Sequence, residues 1–186
     1  TLDIAPVQAA VVVTPARDAV PSSQSGASIT VFSADDIARR GTPTVAALLR
    51  ETPGAAVVMS GGPGGVTSLF MRGGDSSYTK VLLDGIPLNE PGGTFNFSQL
   101  STLNLARVEV VRGAQSALFG SDAMAGVIQL VTAHGAGRPS ATASLEFGGL
   151  GTSRWQAGAS GSRGRADFSV AASRDDTDGL GVNSAF

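Results

Sequence analysis

Three charged residues stand at the end of a short apolar run and directly before a glycine: Arg72, Asp84 and Arg112. A guanidinium gives up no proton at neutral pH, so its chemistry is to bind anions through paired N–H donors. A strand-end arginine reads either as an exposed charge or, if desolvated, as a cation that needs a carboxylate partner. Little else in the chain offers chemistry. His134 is the only histidine and cysteine is absent. Thiol catalysis, disulfides and zinc–sulfur sites are therefore excluded, and any His triad or multi-His metal site would have to be built around one residue. His134 itself reads as a loop residue beside Gly135. No Gly-x-Gly-x-x-Gly, P-loop or Gly-x-Ser-x-Gly pattern occurs, and Lys80, the only lysine, follows no glycine-rich loop. The carboxylates form no evident acid/base pair. The expectation is a protein that is not an enzyme.

The 186 residues allow one or two domains, and the net charge of −2 shows no basic footprint for nucleic acid. No run approaches the roughly 20 apolar residues of a membrane helix. The chain opens on Thr1 with no signal-peptide pattern, as a processed or cropped chain would. Glycine is abundant, at 25 residues, and aromatics are 5%. That composition points to many turns and short strands.

The elements that must place the charged residues follow. Residues 1–28 are Pro/Ala/Ser-rich around the β-branched patch 11–14. Residues 29–32 read as a strand. Ser33 and Asp36 have capping-box spacing, and Gly41 stops that helix. Thr42-Pro43 then starts a second helix, with proline at its first position. From residue 55 the period shortens: 55–59, 67–71, 80–83, 107–111 and 127–132 read as strands. Residues 29–135 thus form an α+β unit with a small mixed four-stranded sheet.

From residue 136 the pattern becomes long period-two alternation. Ala141, Ala143, Leu145 and Phe147 alternate with polar residues, as do Trp155, Ala157 and Ala159, and then Phe168, Val170 and Ala172. Three strands with a small apolar face and a polar face suit the wall of a transmembrane β-barrel. A soluble antiparallel sheet with one wet face reads the same way locally.

The run VEVVRGAQSALFGSDAMAGVIQLVT (108–132) resembles the signature of the plug domain of TonB-dependent outer-membrane receptors. Arg112, Gly113, Ser116, Leu118, Gly120, Gly126, Val127, Ile128 and Thr132 match it. Ala114, Phe119, Ala125 and Gln129 depart from its usual Pro, Tyr, Gly and Asn. LFMRGG, VLLDGIPLN and TVAALLRETPGAAV resemble further family motifs in family order, and the pattern is most similar to the cobalamin-receptor type. The resemblance implies a plug inside a barrel of about 22 strands, of which residues 136–186 supply the first three and the start of an extracellular loop. It implies import of a large scarce ligand, cobalamin or a ferric siderophore, across the bacterial outer membrane. Energy would come from TonB and its inner-membrane complex.

Site residues follow from the same resemblance. The arginines matching Arg72 and Arg112 face wall glutamates, a plug–barrel charge lock. The TonB box is expected at Ala10, Val11, Val12, Val13, Thr14 and Pro15, with 2–6 as the alternative. Outward loops are expected to hold ligand through Ser60, Gly61, Gly62, Gly64, Asn89, Glu90, Thr94, Phe95, Asn96 and Phe97. No cofactor is required, although Asp175, Asp176 and Asp178 are a candidate barrel-loop Ca²⁺ site. Without the resemblance the alternatives are a soluble α+β binding module or adhesin with a β-meander, and a hydrolase of unseen site.

Overall fold

A computed structural model describes residues 11–12, 20–21, 27–62, 64–135, 137–164 and 166–179. Two short strands open it, β1 (Val11–Val12) and β2 (Val20–Pro21), paired antiparallel with each other. The plug-like unit then runs through β3 (Ser28–Ser33), α1 (Ala34–Arg40), α2 (Val45–Leu49), β4 (Ala55–Met59), β5 (Thr67–Met71), β6 (Thr79–Leu83), β7 (Ile86–Pro87), β8 (Leu105–Arg112), α3 (Ser116–Phe119) and β9 (Gly126–Thr132). Its sheet has five strands in the order β3-β8-β9-β6-β7, and only β6 and β9 pair in parallel.

One expectation needs correction. The sheet gains a fifth strand, because Asp84 (φ 48) and Gly85 (φ 84) both take left-handed backbone and fold β7 back onto β6 as a two-residue hairpin. Strands β4 and β5 do not enter the sheet; they pair only with each other.

Helix α1 starts as its sequence predicts. The Ser33 hydroxyl accepts from the Asp36 backbone N–H and the Asp36 carboxylate accepts from the Ser33 N–H, while Gly41 ends the helix at φ 60. Hydrogen bonds from the Ser33 hydroxyl and backbone N–H, then from Arg39, hold the Asp36 carboxyl down at about 2. A depressed folded-state pKa gives stability that is complete above the unfolded value and lost as pH falls through the folded one. Asp36→Ala is expected to lower thermal stability by about 1 kcal/mol at neutral pH. That gap should narrow below about pH 4 and close near pH 2, read from paired melting curves. The second helix begins later than predicted: Thr44 is its N-cap, accepting from Ala47 N–H, so Pro43 lies outside it.

The core lies on one face of the sheet. Val108, Val110, Ile128, Leu130, Val81 and Phe32 pack against Ile37 of α1, Leu48 and Leu49 of α2, and Leu69 and Met71 of β5. Burial of such side chains contributes about 1.5–3 kcal/mol each. The opposite face carries Lys80, Arg107, Glu109 and Gln129 among its apolar residues. Phe119, Ala123, Val127 and Leu82 cluster there.

Strands β10 (Ser140–Phe147), β11 (Ser153–Arg163) and β12 (Ala166–Asp176) form a separate antiparallel meander. Every residue of β10 is exposed, so the sheet is not wrapped onto a core of its own.

Candidate functional site

Arg72 and Arg112 occupy neighbouring positions at one end of the plug-like unit. Arg72 has left-handed backbone (φ 52), and its N–H donates to Gly54 O at 2.7 Å. The next residue, Gly73, is also left-handed at φ 76. This double turn aims the Arg72 side chain across Gly113, whose own φ of 117 suits glycine alone. The Arg72 guanidinium is exposed and makes no ion pair among the described residues. Arg112 donates Nη1 to Pro53 O at 3.0 Å, while its Nε is buried with no hydrogen-bond partner among the described residues. An unsatisfied buried donor costs about 1–3 kcal/mol, more for a charged group.

The two expected ligand loops lie side by side. Asn96 Oδ1 accepts from Thr67 N–H at 3.0 Å, and Phe97 N–H donates to Thr67 O at 2.9 Å. One loop is the tip of the β4–β5 hairpin, closed by Ser60 N–H to Val66 O at 2.9 Å. There Ser60 and Gly61 are exposed, and Gly62 and Gly64 half-buried. In the other, Glu90 and Thr94 are exposed around a turn in which Gly93 N–H donates to Glu90 O at 2.9 Å.

Two nominated side chains, Phe97 and Asn89, hold the loop rather than present themselves. Phe97 is 3% exposed and belongs to the core, with Phe95 edge-on to it at 4.8 Å. The expectation that Phe97 contacts ligand is corrected: an aromatic in a Gly-rich loop is pulled inward by the apolar area it buries. Asn89 accepts from Val81 N–H at 2.8 Å and donates to Thr79 O at 3.0 Å and Gly93 O at 2.6 Å. It ties the loop to β6 beyond the short β7. Asn89→Ala leaves three backbone groups to find new partners and is expected to cost about 2–3 kcal/mol of stability, measurable as a lowered melting temperature of the plug.

The three aspartates do not gather, a second correction. Asp175 and Asp176 are successive strand residues and so point to opposite faces of β12. Asp175 bonds Arg154, and Asp176 accepts two bonds from Arg174, at 2.8 and 2.9 Å. No group of three His, Cys, Asp or Glu able to hold a metal occurs among the described residues. His134 is exposed, with its Nδ1 4.0 Å from Asp167.

Two ion pairs on the second sheet face were not anticipated: Lys80 Nζ to Asp122 Oδ2 at 2.8 Å, and Arg107 Nε to the fully buried Glu109 at 2.6 Å. Alternation along β8 is the signal that could have found the second, since residues two apart share a face. These pairs edge an open groove of about 830 Å³ that Phe119, Leu82 and Pro87 also line.

The meander turns its polar face toward the plug-like unit. Ser169, on the row Ser140–Ser160–Ser169, hydrogen-bonds Asn104. Arg154 on the same face bonds both Glu146 and Asp175. The outward face places Phe147 and Trp155 toward one end and Phe168 toward the other, around a middle band of Ala141, Ala143, Ala157, Ala159 and Ala172. Aromatic girdles around an apolar band mark lipid-facing barrel walls.

Residues 21–127, more than half of the chain, match the family described as TonB-dependent Receptor Plug Domain. The chain belongs to that family. Solved receptors share the fold of this plug and its adjoining strands. The ferripyoverdine receptor of the outer membrane of Pseudomonas aeruginosa is 21% identical, with a TM-score of 0.77 over 90% of this chain and 22% of its own. The ferric yersiniabactin uptake receptor FyuA from Yersinia pestis is 23% identical, with a TM-score of 0.64 over 81% of this chain and 24% of its own. The ferric-catecholate import receptor Fiu from E. coli K12 is 22% identical, with a TM-score of 0.68 over 84% of this chain and 22% of its own. The chain therefore spans about a quarter of the length of these receptors, and three strands do not close a barrel, which needs at least about eight.

Proposed function

We propose that this chain is the plug and opening wall strands of a TonB-dependent receptor that imports a ferric siderophore across the bacterial outer membrane. The observation that carries the reading is the meander. It is long, exposed on its outward face, apolar there between aromatic ends, and hydrogen-bonded to the plug from its polar face. Such a sheet suits lipid outside and a filled lumen inside. The solved receptors of like fold named above bind or import ferric chelates, which favours a siderophore over cobalamin as cargo.

Three parts of the chain divide the work. Loops 58–66 and 89–98 form the ligand-facing apex, with Ser60, Gly61, Gly62, Gly64, Glu90, Thr94, Phe95 and Asn96 along it. Arg72 and Arg112 lock the plug to wall carboxylates outside this chain; the Nε of Arg112, without a partner among the described residues, is the donor such a carboxylate would satisfy. Residues 10–15 give TonB an extended strand to pair with, and pulling there displaces part of the plug and opens a path.

Uptake of ⁵⁵Fe-siderophore by iron-starved cells tests this. Uptake should require both the receptor that carries this chain and TonB. Equal uptake without TonB would overturn the proposal.

A further inference from the structure

The charge of the apex narrows the cargo. We infer that the plug receives an uncharged or cationic ferric chelate with an apolar flank, of the trihydroxamate kind, rather than a polyanionic tricatecholate. This rests on loops 58–66 and 89–98 being the ligand face.

Those loops form one surface, joined through Thr67 as described above. Residues 58–66 contain no charge, and residues 89–98 contain one, Glu90, which is exposed. The adjoining turn adds a second carboxylate. Gly93 lies tight against Ser77, and Asp75 caps that turn by accepting from the Ser77 N–H at 2.9 Å. The backbone and then the side-chain hydrogen bond from Ser77 hold the Asp75 carboxyl below its ordinary range, so it is ionised at neutral pH. No Lys or Arg lies in either loop.

The groove between the hairpin tip and the meander carries charges of both signs. It has a volume of about 310 Å³ and is lined by Arg50, Arg154, Asp175 and Asp176 beside Met59. Arg154 is already bonded to Asp175 and Glu146. Arg50 alone among these groups makes no ion pair within the described residues, one cation at the rim of a surface edged by Glu90 and Asp75.

A trianion settling there would meet two carboxylates and few donors, the repulsive half of specificity. Apolar contact is what the apex does offer. Val58 is 51%, Met59 41% and Val66 57% exposed at the hairpin tip; Val58 and Met59, successive in β4, point to opposite faces, and Met59 lines the groove. Methylene chains of a hydroxamate chelate would cover them, and the unbranched thioether of Met59 adapts to an irregular shape.

Equilibrium binding of ⁵⁵Fe chelates to the purified full-length receptor decides it, with three probes: uncharged ferrichrome, monocationic ferrioxamine B and trianionic ferric enterobactin. At least one hydroxamate should bind ten-fold or more tighter than the catecholate, an order-of-magnitude expectation equal to about 1.4 kcal/mol. Glu90→Lys should shrink that ratio by favouring the trianion. Met59→Ala with Val66→Ala should weaken the bound hydroxamate without lowering the melting temperature, because both side chains are exposed. Preference for ferric enterobactin, with affinities that still respond to the apex variants, would overturn the inference and leave the apex standing. Affinities that ignore all three substitutions would overturn the apex itself. Binding of none of the probes would also refute the assigned class.

Discussion

Val12→Pro is expected to cut TonB-driven uptake to background while leaving chelate binding unchanged. Strand addition is made of backbone hydrogen bonds, each worth about 1 kcal/mol net. Proline removes one donor, fixes φ near −65° and disturbs the extended backbone beside it. Losing two such bonds lowers affinity more than about ten-fold, enough to empty a weak, reversible tether. Val11 and Val12 are already in strand conformation, paired with Pro21 and Val20. The other proposed box residues, Ala10, Val13, Thr14 and Pro15, and the alternative 2–6 lie outside the described residues. Among the described residues two register pairs hold β1, and Pro21 has no N–H to give, so a partner strand displaces little. Val20→Pro separates the two causes, since it breaks the same internal pairing without touching 10–15. Uptake should survive it. Continued transport by Val12→Pro would move the box elsewhere, and loss with both variants would assign the effect to the internal pairing.

Local rules were legible in the sequence wherever one segment decides its own shape. The Ser33–Asp36 box, the Gly41 stop and the period-two meander of β10 to β12 depend on residues a few positions apart. Misreadings arose where a distant segment decides. Ile86-Pro87 becomes a strand only because Asp84 and Gly85 both reach positive φ, an arrangement helped by the Asp84 carboxylate accepting from the Thr132 N–H at 2.9 Å and hydroxyl at 2.7 Å. The resemblance marked loop 89–98 as outward, yet it does not tell an asparagine that faces solvent from one spent on Thr79 and Val81. The aspartates at 175 and 176 are a different lapse. They read as the start of a loop, whereas β12 runs on through Asp176 and its period of two puts them on opposite faces.

Gly126→Ala is expected to destabilise the plug by about 3 kcal/mol, at the upper end for overpacking. An added Cβ would collide with Val111 O and with Met71 Sδ. The sulfur has rotatable bonds, but Met71 is fully buried. The oxygen has nowhere to go, because β8 is held by β3 on one side and β9 on the other. Gly126 pairs with Arg112 in β8 and with Thr79 in β6, so any shift that relieves the clash strains both ladders. It would also move Arg112, whose Nη1 bond to Pro53 O fixes the guanidinium at this end of the plug. Gly62→Ala is the control: it has open space and a backbone that other residues adopt, and should change stability by less than about 0.5 kcal/mol. Adding Met71→Ala to Gly126→Ala separates the two collisions. It should remove none of the strain against Val111 O and adds a core cavity of its own, so melting temperature should stay low. Recovery to wild-type stability in the double variant would show that the sulfur, not the sheet backbone, reserves this position for glycine.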